Sequence, residues 1–522
     1  IRRIIASMLT VTMVLSNSNL AVFAEETGIE SQSVMVEEQQ EEQQEKTEAP
    51  GEELPEEQQE ETEAPGEELP EEQQEETEVF GEEMPENQTE VSDDDSEKVN
   101  LTLELLSDEG TDNEIIQTVE ELVNLSKSDP QTYQDKTITL APHDTGEWDL
   151  SGTEFKGLGS DDCPFKGEID FSGNYTGYIT LDKSLFNAIS GDAKINSTLN
   201  LRAADNMTDP ILAKSYVAGE NANSSSQTIK LNIDAESKAA TEENANYSSF
   251  GGIIGTLGEN ASVSLDITSI IPAAKTAVSG EGNKGFFCNT MKEGSSLKLT
   301  SFSGNADFNV TSTNETAGAL VGCMAANANL TVGTGFAYSG NVNGAQNAGG
   351  LVGNTAAGAR ITLQENYTVS GSITSGNGNA GGLIGLAENN PVSITDGKKV
   401  SVTNASLSAN GTSGAAGGLF GFDTISQENL SLDLATYSVD GVTITSGKYA
   451  GGIFGVLQNR TESSGTHTYT IMMEAGVSGN NGNVSSTGDG VENYGGLIGK
   501  YEAKNLTSAL ELKNLQLTSS HN

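Results

Sequence analysis

The stretch Ala348-Gly-Gly-Leu-Val-Gly353 decides the fold, because it keeps coming back. Its five-residue core stands in the chain as GGIIG (Gly251–Gly255), KGFFC (Lys284–Cys288), GALVG (Gly318–Gly322), GGLVG (Gly349–Gly353), GGLIG (Gly381–Gly385), GGLFG (Gly417–Gly421), GGIFG (Gly451–Gly455) and GGLIG (Gly495–Gly499). The starts lie 33, 34, 31, 32, 36, 34 and 44 residues apart. Self-similarity at a near-fixed period of this length marks a solenoid or a related array, in which each unit touches only its neighbours. The structural glycines of the repeat are Gly251, Gly252 and Gly255; Gly349, Gly350 and Gly353; Gly381, Gly382 and Gly385; Gly417, Gly418 and Gly421; Gly451, Gly452 and Gly455; and Gly495, Gly496 and Gly499. They either supply positive φ at a corner or let a neighbouring coil pack closely, and Lys284, Ala319 and Cys288 show that single positions accept a side chain. The third and fourth positions are large and apolar in every copy. Consecutive apolar residues point to opposite faces of a strand, so the segment is either covered on both sides or bends after its glycines.

Helical repeats share this period, and composition arbitrates. Between signatures the chain alternates in β-branched stretches such as Ile361-Thr-Leu363, Tyr367-Thr-Val-Ser370, Val400-Ser-Val402 and Val442-Thr-Ile444, broken by Gly/Asn clusters such as Gly376-Asn-Gly-Asn379. That is strand and turn chemistry. The expected fold is all-β: a parallel β-helix or solenoid, right-handed by the usual crossover preference, with two or three short strands per coil stacked at about 4.8 Å. The clear repeats span 251–522, and 187–250 is long enough for about two further coils without a recognisable signature. A solenoid end exposes strand edges and needs a cap. Thr111 or Asp112 can N-cap a helix from Glu114 to about Ser126, with Ile115, Ile116, Val119, Leu122 and Val123 on one face, so a capping helix is expected at about 112–126, followed by a first strand at Lys136–Pro142.

The 24 residues at the start read as an address: Arg2-Arg3, an apolar run from Ile4 to Leu15, and the small-residue site Val22-Phe23-Ala24, with cleavage expected between Ala24 and Glu25. That run is too short to span a bilayer, so no membrane insertion is expected once the signal is removed. Residues 25–100 follow as a Glu/Gln/Pro-rich segment in which TEAPGEELPEEQQEE stands at Thr47–Glu61 and again at Thr62–Glu76. Residues 25–99 carry 31 acidic residues against Lys46 and Lys98, in a chain of 522 residues whose net charge is −50. Such a segment has too little apolar surface to offset ordering entropy and reads as a disordered, self-repelling spacer ahead of a solenoid at 101–522. The charge also argues against nucleic acid or an anionic membrane as a partner.

The recurring Gly-Leu-apolar-Gly, preceded by Ala-Gly as in Ala348–Gly353, Ala380–Gly385 and Ala416–Gly421, resembles the GLUG motif of surface proteins of Gram-positive bacteria and of the non-catalytic β-helical region of IgA-cleaving metallopeptidases. Phe165-Lys-Gly-Glu-Ile-Asp170 and Ser184-Leu-Phe186 resemble the segment that opens such arrays. The resemblance covers roughly residues 110–522 and implies a secreted or cell-surface protein with a β-helical stalk or adhesive module. It carries no catalysis over: the metallopeptidases need His-Glu-x-x-His, and no Glu follows His143, His467 or His521.

Other chemistry is sparse. Gly280-Glu-Gly-Asn-Lys-Gly285 matches a dinucleotide fingerprint in letters only, since β-like segments flank it, and a Gly-rich corner is expected. Paired carboxylates for glycan cleavage come down to Asp161-Asp162 and Asp170, expected to be turn residues. Cys288 and Cys323 fall on adjacent coils, close enough for a bridge by spacing, while strand alternation turns them to opposite faces and favours free, buried thiols. No catalytic residue, no metal site and no cofactor is expected. The reading is a non-enzymatic secreted or surface protein, adhesive or structural, that displays a solenoid on an acidic spacer to a host protein, a glycan or cell-wall components. The alternative is the non-catalytic N-terminal portion of a larger exported peptidase or glycan-active enzyme, its catalytic domain lying beyond Asn522.

Overall fold

The computed structural model describes residues 113–513, apart from 142–146, 172–176, 206, 221–226, 236–248, 272–276, 303–305, 427–430, 434–435, 461–467, 473–483, 487–492 and 504–508. They form a parallel β-solenoid within the compact unit Glu109–Asn522. The signature strands make a ten-stranded parallel ladder running from Phe186–Ser190 through Ala213–Val217, Ile254–Leu257 and the later coils to Ile498–Ala503. Ladders of nine and eight strands make up two further sides. The two coils expected upstream of residue 251 are therefore present, with Ser184-Leu-Phe186 and Ile211-Leu-Ala213 in place of the glycine signature.

Four successive coils, from Asn309 to Asp440, hold five strand segments each, more than the two or three expected: Asn341–Gly344, Ala348–Gly349, Val352–Thr355, Arg360–Leu363 and Tyr367–Val369 make up one. One extra segment is the short strand of a separate four-stranded ladder, and another arises because the signature is itself split by a bend. Ala348–Gly349 pairs with Ala317–Gly318 and Ala380–Gly381 in one ladder, whereas Val352–Thr355 lies in the ten-stranded one. The chain turns between them at Gly350 and Leu351. Leu351 and Val352 consequently both point inward, at 0 % exposure, on either side of a corner. Of the two options open from the sequence, the bend is the one used.

Register also corrects the repeat frame. Lys284 pairs with Ala317, Gly285 with Gly318 and Cys288 with Val321, so the second copy is Gly285–Asn289 and not Lys284–Cys288. Phe286 replaces the second glycine and Asn289 the last. Asn289 earns that place with its side chain: Oδ1 accepts from Gly285 N at 3.1 Å and Nδ2 donates to Gly251 O at 2.7 Å. Phe286 is fully buried and stacks on Phe308, with ring centroids 4.0 Å apart.

The N-terminal end differs from expectation. Asn113–Ile116 is a strand, β1, paired in parallel with β2 (Thr137–Leu140), and β1 is the terminal strand of its four-stranded ladder. The helix α1 is the shorter Val119–Lys127. Its cap is Thr118, which forms a capping box with Glu121 and satisfies two backbone N–H groups that the helix leaves open. Ile115, assigned from periodicity to the buried helix face, is 58 % exposed on β1. Leu122, Val123 and Leu125 do pack into the core, and Ser126 Oγ accepts from Lys156 N at 3.1 Å, tying the helix to the chain beyond β2. The expected strand over 136–142 is thus the second of its ladder, not the first.

One corner does require left-handed backbone. After the signature strand, successive coils place Asn260, Gly294, Asn327 and Gly358 there, with φ of 55°, 66°, 57° and 75°. Asn tolerates this region better than other side chains and Gly tolerates it freely.

Candidate functional site

The signature glycines are structural. Among them only Gly252 has positive φ, at 98°. The rest are small because another backbone occupies the space a Cβ needs. At the first position, a Cβ on Gly349, Gly381, Gly417, Gly451 or Gly495 falls 1.9–2.0 Å from the carbonyl oxygen three residues on, at Val352, Ile384, Phe420, Phe454 and Ile498. At the second, Gly350, Gly382, Gly418 and Gly452 each meet the matching glycine oxygen of the next coil at 1.9–2.2 Å. At the third, Gly353, Gly385, Gly421, Gly455 and Gly499 lie 2.5–2.7 Å from a carbonyl of the preceding coil, and Gly251 and Gly255 meet Thr208 O and Lys214 O at 2.4 and 2.6 Å. Real Cβ atoms do not approach carbonyl oxygens so closely, so the tight bend within each coil at the first glycine and close coil packing at the other two account for the motif. Gly496, in the last described signature, has nothing within 4 Å.

The other residues singled out from sequence do not converge. Asp161 and Asp162 are exposed in a turn, whereas Asp170 accepts from Ser197 Oγ at 2.7 Å and from Phe171 N at 2.8 Å. Gly280–Gly285 is a corner between Ala277–Gly280 and Lys284–Gly285 with no helix behind it, as expected. Among the described residues no three His, Cys, Asp or Glu side chains are grouped to hold a metal. The signal cleavage pair Ala24 and Glu25, the spacer repeats and all three histidines lie outside the described residues.

The cysteines are free thiols. Cys323 pairs with Thr290, and Cys288 with Val321, so the two thiols are offset by two residues; Cys288 is fully buried and Cys323 partly exposed. Burial pushes the Cys288 thiol up to about 12. Alkylation of the native protein at pH 8 is expected to modify Cys163 and Cys323 and leave Cys288 untouched until the protein is unfolded, and peptide mass mapping reads this directly. A disulfide-linked peptide containing Cys288 and Cys323 contradicts it.

Two surface features stand out, and sequence reasoning named neither. The first is the outer face of the eight-stranded ladder. Val278, Val310, Val342, Ile373, Leu407 and Ile444 point into the core, and the residues on either side of them point out. From the third strand of the ladder these are Asn309/Thr311, Asn341/Asn343, Ser372/Thr374, Ser406/Ser408 and Thr443/Thr445. They form two straight columns of hydroxyls and amides, one rung about 4.8 Å from the next, with no charged residue. The nine-stranded ladder differs, carrying Lys230, Asp266, Lys298 and Arg360 outward. The hydroxyl face bonds little within itself: Thr445 Oγ1 reaches Ser408 Oγ at 3.2 Å, and Asn309 Oδ1 accepts from Asn341 N at 2.9 Å.

The second is a cleft at the first coils, about 290 Å³ in volume, lined by Ser151, Gly152, Thr180, Asp182, Arg202, Ala203, Ala204 and Asp205. Asp149, Thr180, Arg202 and Asp234 form an outward column across neighbouring strands. Arg202 Nε donates to Asp234 Oδ2 at 2.7 Å, its NH1 donates to Glu147, and its guanidinium lies 4.8 Å over the Tyr178 ring. Burial opposes the Arg202 charge, but those two carboxylates outweigh it and hold its pKa above the ordinary value. Asp182 uses one oxygen to accept from Gly152 N at 3.0 Å. No helix among the described residues is long and apolar enough to cross a membrane. Comparison with family models, curated proteins and solved structures finds no match to this chain.

Proposed function

We propose that the chain is an exported, non-enzymatic surface protein whose solenoid holds a flat, uncharged hydroxyl-and-amide face against a neutral polysaccharide, either a host glycan or cell-wall material. The observation that carries this reading is the pair of charge-free columns over five successive coils in a protein of net charge −50. A polyanion is repelled by the chain as a whole, and a polycation finds no carboxylate on this face. A neutral sugar polymer needs only donors and acceptors in a row. Each exposed hydrogen bond adds about 0.5–1.5 kcal/mol net, so single contacts are weak and affinity must come from length. The signal-like start and the acidic spacer favour display away from the cell.

The test is retention on insoluble cellulose, chitin and starch, with polygalacturonate gel as the anionic control. Retention on a neutral polymer is expected, unchanged between about 0.05 and 0.5 M salt because no ion pair contributes. The double variant Ser372→Glu/Thr374→Glu is expected to lose at least about tenfold in affinity, since two carboxylates must be desolvated at the contact. Absence of retention on every neutral polymer, or retention untouched by these substitutions, overturns the reading.

A further inference from the structure

The cleft at the first coils has a property the hydroxyl face lacks: two polar atoms of its lining residues are closed off behind the wall and unsatisfied. Thr180 is 2 % exposed and its Oγ1 has no hydrogen-bond partner, and Asp182 Oδ1 has none either. Both residues line the same cavity. A buried polar group without a partner costs about 1–3 kcal/mol, so a pair of them in one cleft is a standing penalty that a ligand bringing both a donor and an acceptor removes. The arrangement follows from stacking. Asp182 follows the strand Ile179–Leu181, and Ala204 and Asp205 follow Leu199–Ala203, in register with it. Ser151 and Gly152 follow Trp148–Asp149 in the preceding coil. Three successive corners thus make one wall.

The chemistry of the wall limits what fits. A calcium ion wants 6–8 oxygens drawn in to roughly 2.3–2.6 Å, and several carboxylates among them. Here a single carboxylate oxygen is unpartnered, no group of three ligating side chains exists among the described residues, and the space is that of roughly ten waters at about 30 Å³ each. That volume suits one sugar ring. The Arg202 charge is already met by Glu147 and Asp234, and Asp182 and Asp205 leave the wall acidic, which disfavours anionic sugars. We infer that this cleft binds a single neutral pyranose unit, Asp182 Oδ1 accepting from one ring hydroxyl and Thr180 Oγ1 completing the pair after both side chains turn toward the cavity. The site is separate from the hydroxyl face and shares with it only the class of ligand, a chain end here and a chain length there.

The test uses the full chain and free glucose, galactose, N-acetylglucosamine and N-acetylgalactosamine, followed by saturation-transfer NMR, with glucuronic acid and calcium ion as further probes. At least one neutral monosaccharide is expected to bind in the millimolar range and glucuronic acid not to bind. Thr180→Val and Asp182→Asn are each expected to weaken binding at least about tenfold. In the absence of sugar, Thr180→Val is expected to hold or raise the melting temperature, because it removes an unsatisfied hydroxyl and nothing else; this separates a lost ligand contact from a lost fold. Failure of every neutral monosaccharide to bind, binding that survives both substitutions, or binding of calcium alone with dependence on Asp182 each overturns the inference. A water held at the floor of the cleft gives the first of these outcomes. Retention on insoluble polymers plays no part in this readout, so the two proposals fail separately.

Discussion

Gly418→Ala breaks the stack locally, while Gly496→Ala, the same change at the same signature position two coils on, leaves it intact. A Cβ on Gly418 falls 1.9 Å from Gly452 O and 2.9 Å from Val439 Cγ1; on Gly496 it meets nothing within 4 Å. Neither glycine needs positive φ, so the contrast isolates packing from backbone strain. The obstacle at Gly418 is main chain that belongs to the parallel ladders, and it cannot swing aside as a side chain does. We expect a cost of at least about 3 kcal/mol at Gly418, at the upper end for overpacking, and less than about 0.5 kcal/mol at Gly496. Because coils interact only with neighbours, the damage should stay near its origin. Hydrogen exchange is expected to lose protection in Phe420–Ile425 and Phe454–Asn459 and keep it in Ile254–Leu257. Equal protection loss in both variants, or none in either, refutes close coil packing as the reason for the motif.

The second large effect concerns Asp423. Its side chain has 0 % exposure in an inward column between Ala387 and Leu457, and Oδ2 has no hydrogen-bond partner. Oδ1 accepts only a long bond from Asn390 N, at 3.4 Å. Desolvation pushes its pKa up to about 7, against the small opposing effect of that bond and with added repulsion from Glu388. With the folded pKa raised, the folded protein holds a proton that the unfolded chain has released above about pH 4. Its contribution to stability is therefore greatest below about pH 4, falls as pH rises, and is exhausted above about pH 7. Three pKa units correspond to an upper limit of about 4 kcal/mol. Asp423→Leu matches the Leu457 beside it and is expected to be more stable than wild type at pH 8, with the advantage shrinking as pH falls toward 4. Overall charge repulsion also weakens the protein as pH rises, so the informative quantity is the difference between the two denaturation curves at each pH. A difference that stays flat from pH 4 to 8 rules out a buried, protonated Asp423.

Much of the architecture was legible because it depends on local pattern. Alternating Ile361-Thr-Leu363 and Val442-Thr-Ile444 read as strands and are found within strands or at their edge, and the glycine period gave the coil length. Errors came where a distant partner decides. Ile115 and Ile116 continue the apolar spacing of α1, yet pairing with Ile138's strand holds them extended, and the capping box at Thr118 and Glu121 marks the true start. Lys284–Cys288 fits the signature by length, but register shifts it by one, because the side-chain hydrogen bonds of Asn289 do the work of a glycine. The cleft could not be read from the chain: Thr180 and Asp182 look like ordinary strand-end residues, and only stacking places them beside Ser151 and Ala204. The hydroxyl face was half legible, since its residues appeared as alternation partners of the core without their alignment in columns.

The left-handed corner has a consequence for how such a chain can lengthen. Asn260 Oδ1 sits 2.4 Å from where Gly294 would carry a Cβ, and Asn327 Oδ1 stands in the same relation to Gly358, again at 2.4 Å. The amide of one coil thus fills the space that the next coil's glycine leaves, and the corner alternates Asn, Gly, Asn, Gly. At this edge the unit of construction is two coils. Duplicating or deleting a single coil sets amide over amide, with a collision, or glycine over glycine, with a gap. Gain or loss of coils in pairs preserves the fit, so growth by even steps is the route this corner leaves open.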